Sequence, residues 1–138
     1  MPSPETCATA ANIVNDVLQH GHSLDSTAAK RLKLQPAQNH SEIREIAWGS
    51  VRWAYRYRRL LQQKLHKPIR SQDTILENLL LCAFYQYEHL NAPDYAITSG
   101  AVEAANLLGR GHAKKLINGV LRAHLRDPVS ITADKEEA

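Results

Sequence analysis

The chain has 138 residues, 43% of them hydrophobic, and carries a formal net charge of +3. That is apolar material for one modest core and leaves no room for a second, catalytic domain. The two cysteines, Cys7 and Cys82, lie far apart without a CxxC spacing, and neither a secretory leader nor an apolar run of eighteen residues occurs, so the sequence reads as a soluble, cytoplasmic, reduced protein.

Apolar residues recur at helical spacing almost throughout, and no stretch alternates with the two-residue period of a half-buried strand, so the expected fold class is all-α. Ser3-Pro4 opens the first helix, the serine as cap and the proline where no N–H is needed; Cys7, Ala10, Ala11, Val14, Val17 and Leu18 form its inner face and Gly21 ends it. Ser23 caps a short second helix reaching about Lys33, and Pro36 with Gln38-Asn39-His40 reads as a loop. The third helix is expected to be the longest, from Ser41 to about His66, where Lys67-Pro68 forces a stop. Its inner face reads Ile43, Ile46, Ala47, Ser50, Ala54, Tyr57, Leu61 and Leu65. A fourth helix, from about Asp73 to Leu90, is apolar on all sides through Leu79, Leu80, Leu81, Cys82, Ala83, Phe84 and Tyr85, which places it in the middle of the bundle. Pro93 starts a fifth that ends near Gly109, and a sixth runs from about His112 to Arg126 with Leu116, Ile117, Val120 and Leu121 inward. Residues 1–126 thus form one helical domain, and residues 127–138 read as a polar, acidic linker or tail.

The charges come in blocks. Residues 30–70 hold eleven Lys or Arg against Glu42 and Glu45, residues 73–103 hold five acids and no Lys or Arg, and residues 110–126 hold five bases and no acid. Two basic blocks folded onto one side would favour a polyanion, nucleic acid first among them.

Two constellations carry that expectation further. Arg52, Arg56 and Arg59 stand at i, i+4 and i+7 on the expected third helix, with Gln63 continuing the stripe and Arg58 and Lys64 flanking it. Guanidinium forks in register suit phosphates, and Trp53 and Tyr55 beside them offer flat faces for an unpaired base; the plainer reading is a solvated face with its aromatics turned to the core. The second is Gly109-Arg110-Gly111-His112-Ala113-Lys114-Lys115, a glycine-flanked turn opening a helix, where unpaired N–H groups and two lysines favour an anion. Asn118 and Arg122, one and two turns on, extend that surface. His20 and His22 lack further partners at a metal-ligand spacing, no Ser/His/Asp set can be placed, and Cys82 reads as core, so no catalytic group, metal or cofactor is expected in this chain.

The residues also resemble a family. Leu79 to Glu88 (LLLCAFYQYE), Ala92-Pro93-Asp94-Tyr95-Ala96-Ile97, Ala101-Val102-Glu103-Ala104-Ala105 and Leu116-Ile117-Asn118-Gly119-Val120-Leu121-Arg122 resemble the NusB-like RNA-binding domain. More narrowly, they resemble its version at the N-terminus of the RsmB-type (Sun/Fmu) 16S rRNA cytosine-C5 methyltransferases. Ala47-Trp48-Gly49-Ser50-Val51-Arg52 is similar to the Gly-x-x-Arg phrase on the third helix of those proteins. The resemblance implies a bundle of six or seven helices that binds RNA and presents rRNA to a methyltransferase domain, with S-adenosylmethionine needed only by that domain. It carries over Arg52 as a phosphate contact, and Asn118 and Arg122 as fold or RNA residues. Two other readings stay open. One is a free-standing antitermination factor that binds RNA with a ribosomal protein. The other is a protein-interaction bundle that uses the acids Glu77, Glu88, Asp94 and Glu103.

Overall fold

The structure, a computed structural model, describes residues 2–127. Among them are seven α-helices: α1 (Pro4–Leu18), α2 (Leu24–Leu32), α3 (His40–Arg52), α4 (Ala54–Lys64), α5 (Thr74–His89), α6 (Asp94–Leu107) and α7 (Lys114–Arg126). Single 3₁₀ turns at Ala37–Asn39, Ser71–Asp73 and Gly111–Ala113 lead into α3, α5 and α7. The all-α expectation is met, with no strand among the described residues. No described helix is long and apolar enough to cross a membrane. The polar tail expected after Asp127 lies outside the described residues.

Local rules set most of the helix ends. The hydroxyls of Ser3 and Ser23 accept from the backbone N–H of Thr6 and Ser26, both at 3.1 Å, and so satisfy donors that the first turns of α1 and α2 leave open. Gly21 and Gly109 take the left-handed backbone conformation, with φ of +73° and +74°. There they let His22 N–H reach Asp16 C=O at 3.0 Å and Arg110 N–H reach Ala105 C=O at 2.8 Å, closing α1 and α6.

The central element is α5, which packs against α1, α3, α4, α6 and α7. Every residue from Leu79 to Gln86 is buried, as expected for a helix enclosed on all sides. Cys82 and Cys7 are both buried and free. Burial pushes their thiols up, to about 12 and about 11, so both are inert packing residues. The approach of α3 to α5 is close enough to require a glycine. A Cβ on Gly49 would stand 2.1 Å from Cε2 of Tyr85, whose ring lies over the α3 backbone.

One element differs from expectation. The single third helix of residues 41–66 is two helices, α3 and α4, broken at Trp53, whose backbone leaves the helical region at φ −102°, ψ 16°. The cause is tertiary. The first half packs on α1 and α5, whereas the second packs on α5 and α7, and one straight helix cannot serve both sets of neighbours.

Candidate nucleic-acid interface

The two basic blocks meet between α4 and α7. A groove of about 700 Å³ runs between the end of α4 and the outer side of α7, lined by Lys64, Lys67, Lys115 and Arg126 over an apolar floor that includes Leu65, Leu116 and Ala123. Helical geometry places the α7 residues there. Ile117, Val120, Leu121 and His124 turn into the core, which leaves Lys115, Gly119, Ala123 and Arg126 along one flank of the helix. On the facing side, Lys64 closes α4 and Leu65 turns to extended backbone, leading Lys67 and Pro68 along the rim.

No carboxylate among the described residues ion-pairs with Lys64, Lys67, Lys115 or Arg126. Among the described residues, Asp127 is the one acid on the groove wall. Gly119 leaves the wall open, since a Cβ there would meet nothing within 4 Å. The arrangement therefore offers several cations converging on a channel with an apolar floor, a form that holds a phosphate chain while giving its bases a dry surface.

The residues expected from sequence fall into separate places. Lys115 lines this groove. Lys114, Asn118 and Arg122 follow one another on the opposite flank of α7 and line a second groove of about 500 Å³ against α6, where Tyr95, Thr98 and Glu103 face them. Outward-facing α7 is thus basic on both flanks. Arg52 is exposed at the end of α3 with its guanidinium 5.6 Å from the Trp53 ring centre, beside a third cleft. Arg59 lies on α4 with its guanidinium 5.9 Å from the ring of Tyr55, which is 79% exposed.

Two expected contacts require correction. Arg56 does not share a solvent-facing stripe with Arg52 and Arg59. The break at Trp53 separates it from Arg52, and it is only 4% exposed, forked onto the Glu88 carboxylate beneath the α4–α5 contact. Tyr57 donates to the same carboxylate at 2.9 Å, and burial together with Glu88 holds its phenol well above the usual range. The cluster is an internal lock. Arg110 likewise belongs to the fold: its Nε donates to Asp73 Oδ1 at 2.9 Å, and its other nitrogens donate to the carbonyls of Leu108 and Gln72, both at 3.0 Å. Arg70 bonds the other oxygen of Asp73 at 3.0 Å, and these two arginines hold that carboxyl below the usual carboxylate range.

Nothing local in the sequence marks Lys67 or Arg126 as site residues, and Lys64 reads only as a flanking charge. The signal for the α7 pair lies over a longer span. Lys115, Gly119, Ala123 and Arg126 fall on one line three turns long, small residues between two cations. Among the described residues, no group of three or more His, Cys, Asp or Glu side chains is placed to hold a metal ion.

The described residues form an all-helical domain that presents a cationic groove beside α7. The chain belongs to the NusB family, whose model matches residues 8–126. It is 35% identical over 122 residues to the probable ribosomal RNA small subunit methyltransferase B of Coxiella burnetii, a match covering 88% of this chain and 27% of that protein. The ribosomal RNA small subunit methyltransferases B of Pasteurella multocida and Vibrio vulnificus are 32% and 28% identical over 122 and 120 residues, covering 88% and 87% of this chain and 27% and 28% of those proteins. The chain thus spans little more than a quarter of the length of the curated relatives it matches.

Proposed function

We propose that this chain is the RNA-recognition module of a small-subunit rRNA cytosine-C5 methyltransferase, and that it holds the rRNA backbone along the α4–α7 groove. Methyl transfer, and with it S-adenosylmethionine, belongs to a separate methyltransferase domain; this chain supplies binding and orientation without a cofactor of its own. The observation that carries the reading is the convergence of Lys64, Lys67, Lys115 and Arg126, drawn from both basic blocks, on one groove. The names of the matched relatives support rRNA as the substrate class. The acids that a protein-interaction reading would need are partly consumed inside the fold, Glu88 by Arg56 and Glu77 by Arg58 at 3.5 Å.

The test compares fluorescence-anisotropy titrations of a small-subunit rRNA fragment, an antitermination-type single strand and a duplex DNA, each at low and moderate salt. The expected result is tightest binding to the rRNA fragment, weakening as salt rises because bound phosphates release counterions. Preference for the antitermination strand would assign the chain to free-standing factors that act beside a ribosomal protein. Absence of RNA binding at low salt would leave protein interaction as its role.

A further inference from the structure

The cleft beside Arg52 lies apart from the groove residues and has a different character. It encloses about 620 Å³ and is lined by Trp48, Trp53, Tyr85 and His89, with Arg52 and Glu45 at its polar positions. We propose that it receives one unpaired base of the bound RNA strand, selecting a base whose edge is rich in N–H donors, guanine before uracil. This inference rests on the RNA reading above and adds a point of base selection to a groove whose cations hold the backbone.

The walls are built in advance of any ligand. Tyr85 lies over Gly49, where any side chain would collide with its ring, and its hydroxyl donates to Glu45 Oε2 at 3.1 Å. The His89 ring lies 4.6 Å from that of Tyr85, tilted by 30°. Trp53 stands at the α3–α4 break and lines the cleft together with Trp48. The chemistry of these walls matches a nucleobase better than an aliphatic ligand. Flat aromatic rings stack on a base whatever its identity, and a guanidinium plane can do the same or hold the adjoining phosphate. Arg52 is exposed and ion-paired with no carboxylate among the described residues, so its charge is available. Glu45, an acceptor next to bound RNA, repels phosphate but receives N–H groups from a base edge; guanine offers it two side by side and uracil one.

The two tryptophans of the chain both line this cleft, so tryptophan emission reports on it alone. The experiment titrates the full chain with a short guanine-containing single-stranded RNA and with the same oligomer bearing abasic riboses, reading anisotropy and tryptophan emission together. The proposal expects saturable quenching with the first oligomer, no quenching with the second, and affinity for the second weaker by roughly tenfold. Glu45→Gln should erase the preference for a guanine oligomer over a uracil oligomer while keeping the quenching. Equal anisotropy binding of both oligomers with unchanged emission overturns the base pocket and leaves the RNA reading standing. No anisotropy change with either overturns both, and a guanine preference that survives in Glu45→Gln overturns the assignment of Glu45.

Discussion

Glu88→Gln is expected to lower the unfolding free energy by about 3–5 kcal/mol, because it removes the carboxylate that compensates a guanidinium almost completely withdrawn from water. The cost is the desolvation of Arg56, whose charge the protein interior cannot solvate as water does. In a domain of this size that shift corresponds to a melting midpoint lower by about 10–20 °C. Replacing both partners with apolar residues, Arg56→Met with Glu88→Leu, removes the charge and its partner together and should recover most of the loss. The same double variant separates the lock seen in the structure from the phosphate contact expected of Arg56 by its place in sequence. A lock inside the bundle predicts RNA binding close to wild type in the double variant, whereas a phosphate contact predicts a clear loss of affinity. Thermal denaturation followed by circular dichroism, with an RNA titration of the folded double variant, reads both outcomes.

Acidification is expected to weaken the fold through His124 before it touches the carboxylates. This ring is buried on α7 between Phe84, with centroids 4.5 Å apart, and Tyr87 at 5.5 Å. Burial first, and then the positive charge of Lys64, lower its pKa to about 4, against partial opposition from Glu88. The unfolded chain takes up the proton as pH falls through 6.5, while the folded chain resists until about 4. The contribution is therefore complete above pH 6.5, is lost progressively between pH 6.5 and 4, and amounts to about 3 kcal/mol. Asp16 and Asp73 act in a lower range. Burial raises the Asp16 carboxyl, but its fork to Arg31 and its bond from Thr27 outweigh that, and Arg70 and Arg110 depress Asp73, so both give up their contributions only below the ordinary carboxylate pKa. His124→Phe keeps a ring against Phe84 and has no proton to gain. Urea midpoints measured from pH 7.5 to 4.5 should fall steeply in the wild type and much less in this variant. Equal slopes in the two proteins would show that another group carries the sensitivity.

What could be read from the chain followed its locality. Ser3 and Ser23 as caps, Gly21 and Gly109 as closures and the all-apolar run of α5 are each decided within a few residues, and the structure has each of them in place. The NusB-like phrases, being stretches of contiguous chain, were legible for the same reason, and the family match bears them out. The break at Trp53 was not. Buried Ser50, Ala54, Tyr57 and Leu61 keep helical spacing across it, and no proline or glycine marks it; the signal lies in α5 and α7, far along the chain. The fate of Arg56 was hidden in the same way, because its partner Glu88 is 32 residues away. The blocks of charge were visible, but helical spacing alone could not say that the end of α4 faces the Lys115 flank of α7 and not the flank of Lys114, Asn118 and Arg122.

If phosphates lie along the α4–α7 groove, its four cations set the salt dependence of RNA binding. The decisive measurement is the salt dependence of rRNA-fragment affinity in the wild type and in a variant with Lys64, Lys67, Lys115 and Arg126 all changed to Gln. The variant should melt with the wild type, bind much more weakly at low salt, and show a slope of log affinity against log salt shallower by about three, as expected when four phosphate contacts to a single strand are lost. A folded variant with wild-type affinity and wild-type slope would contradict phosphate binding in this groove and move the RNA elsewhere on the bundle.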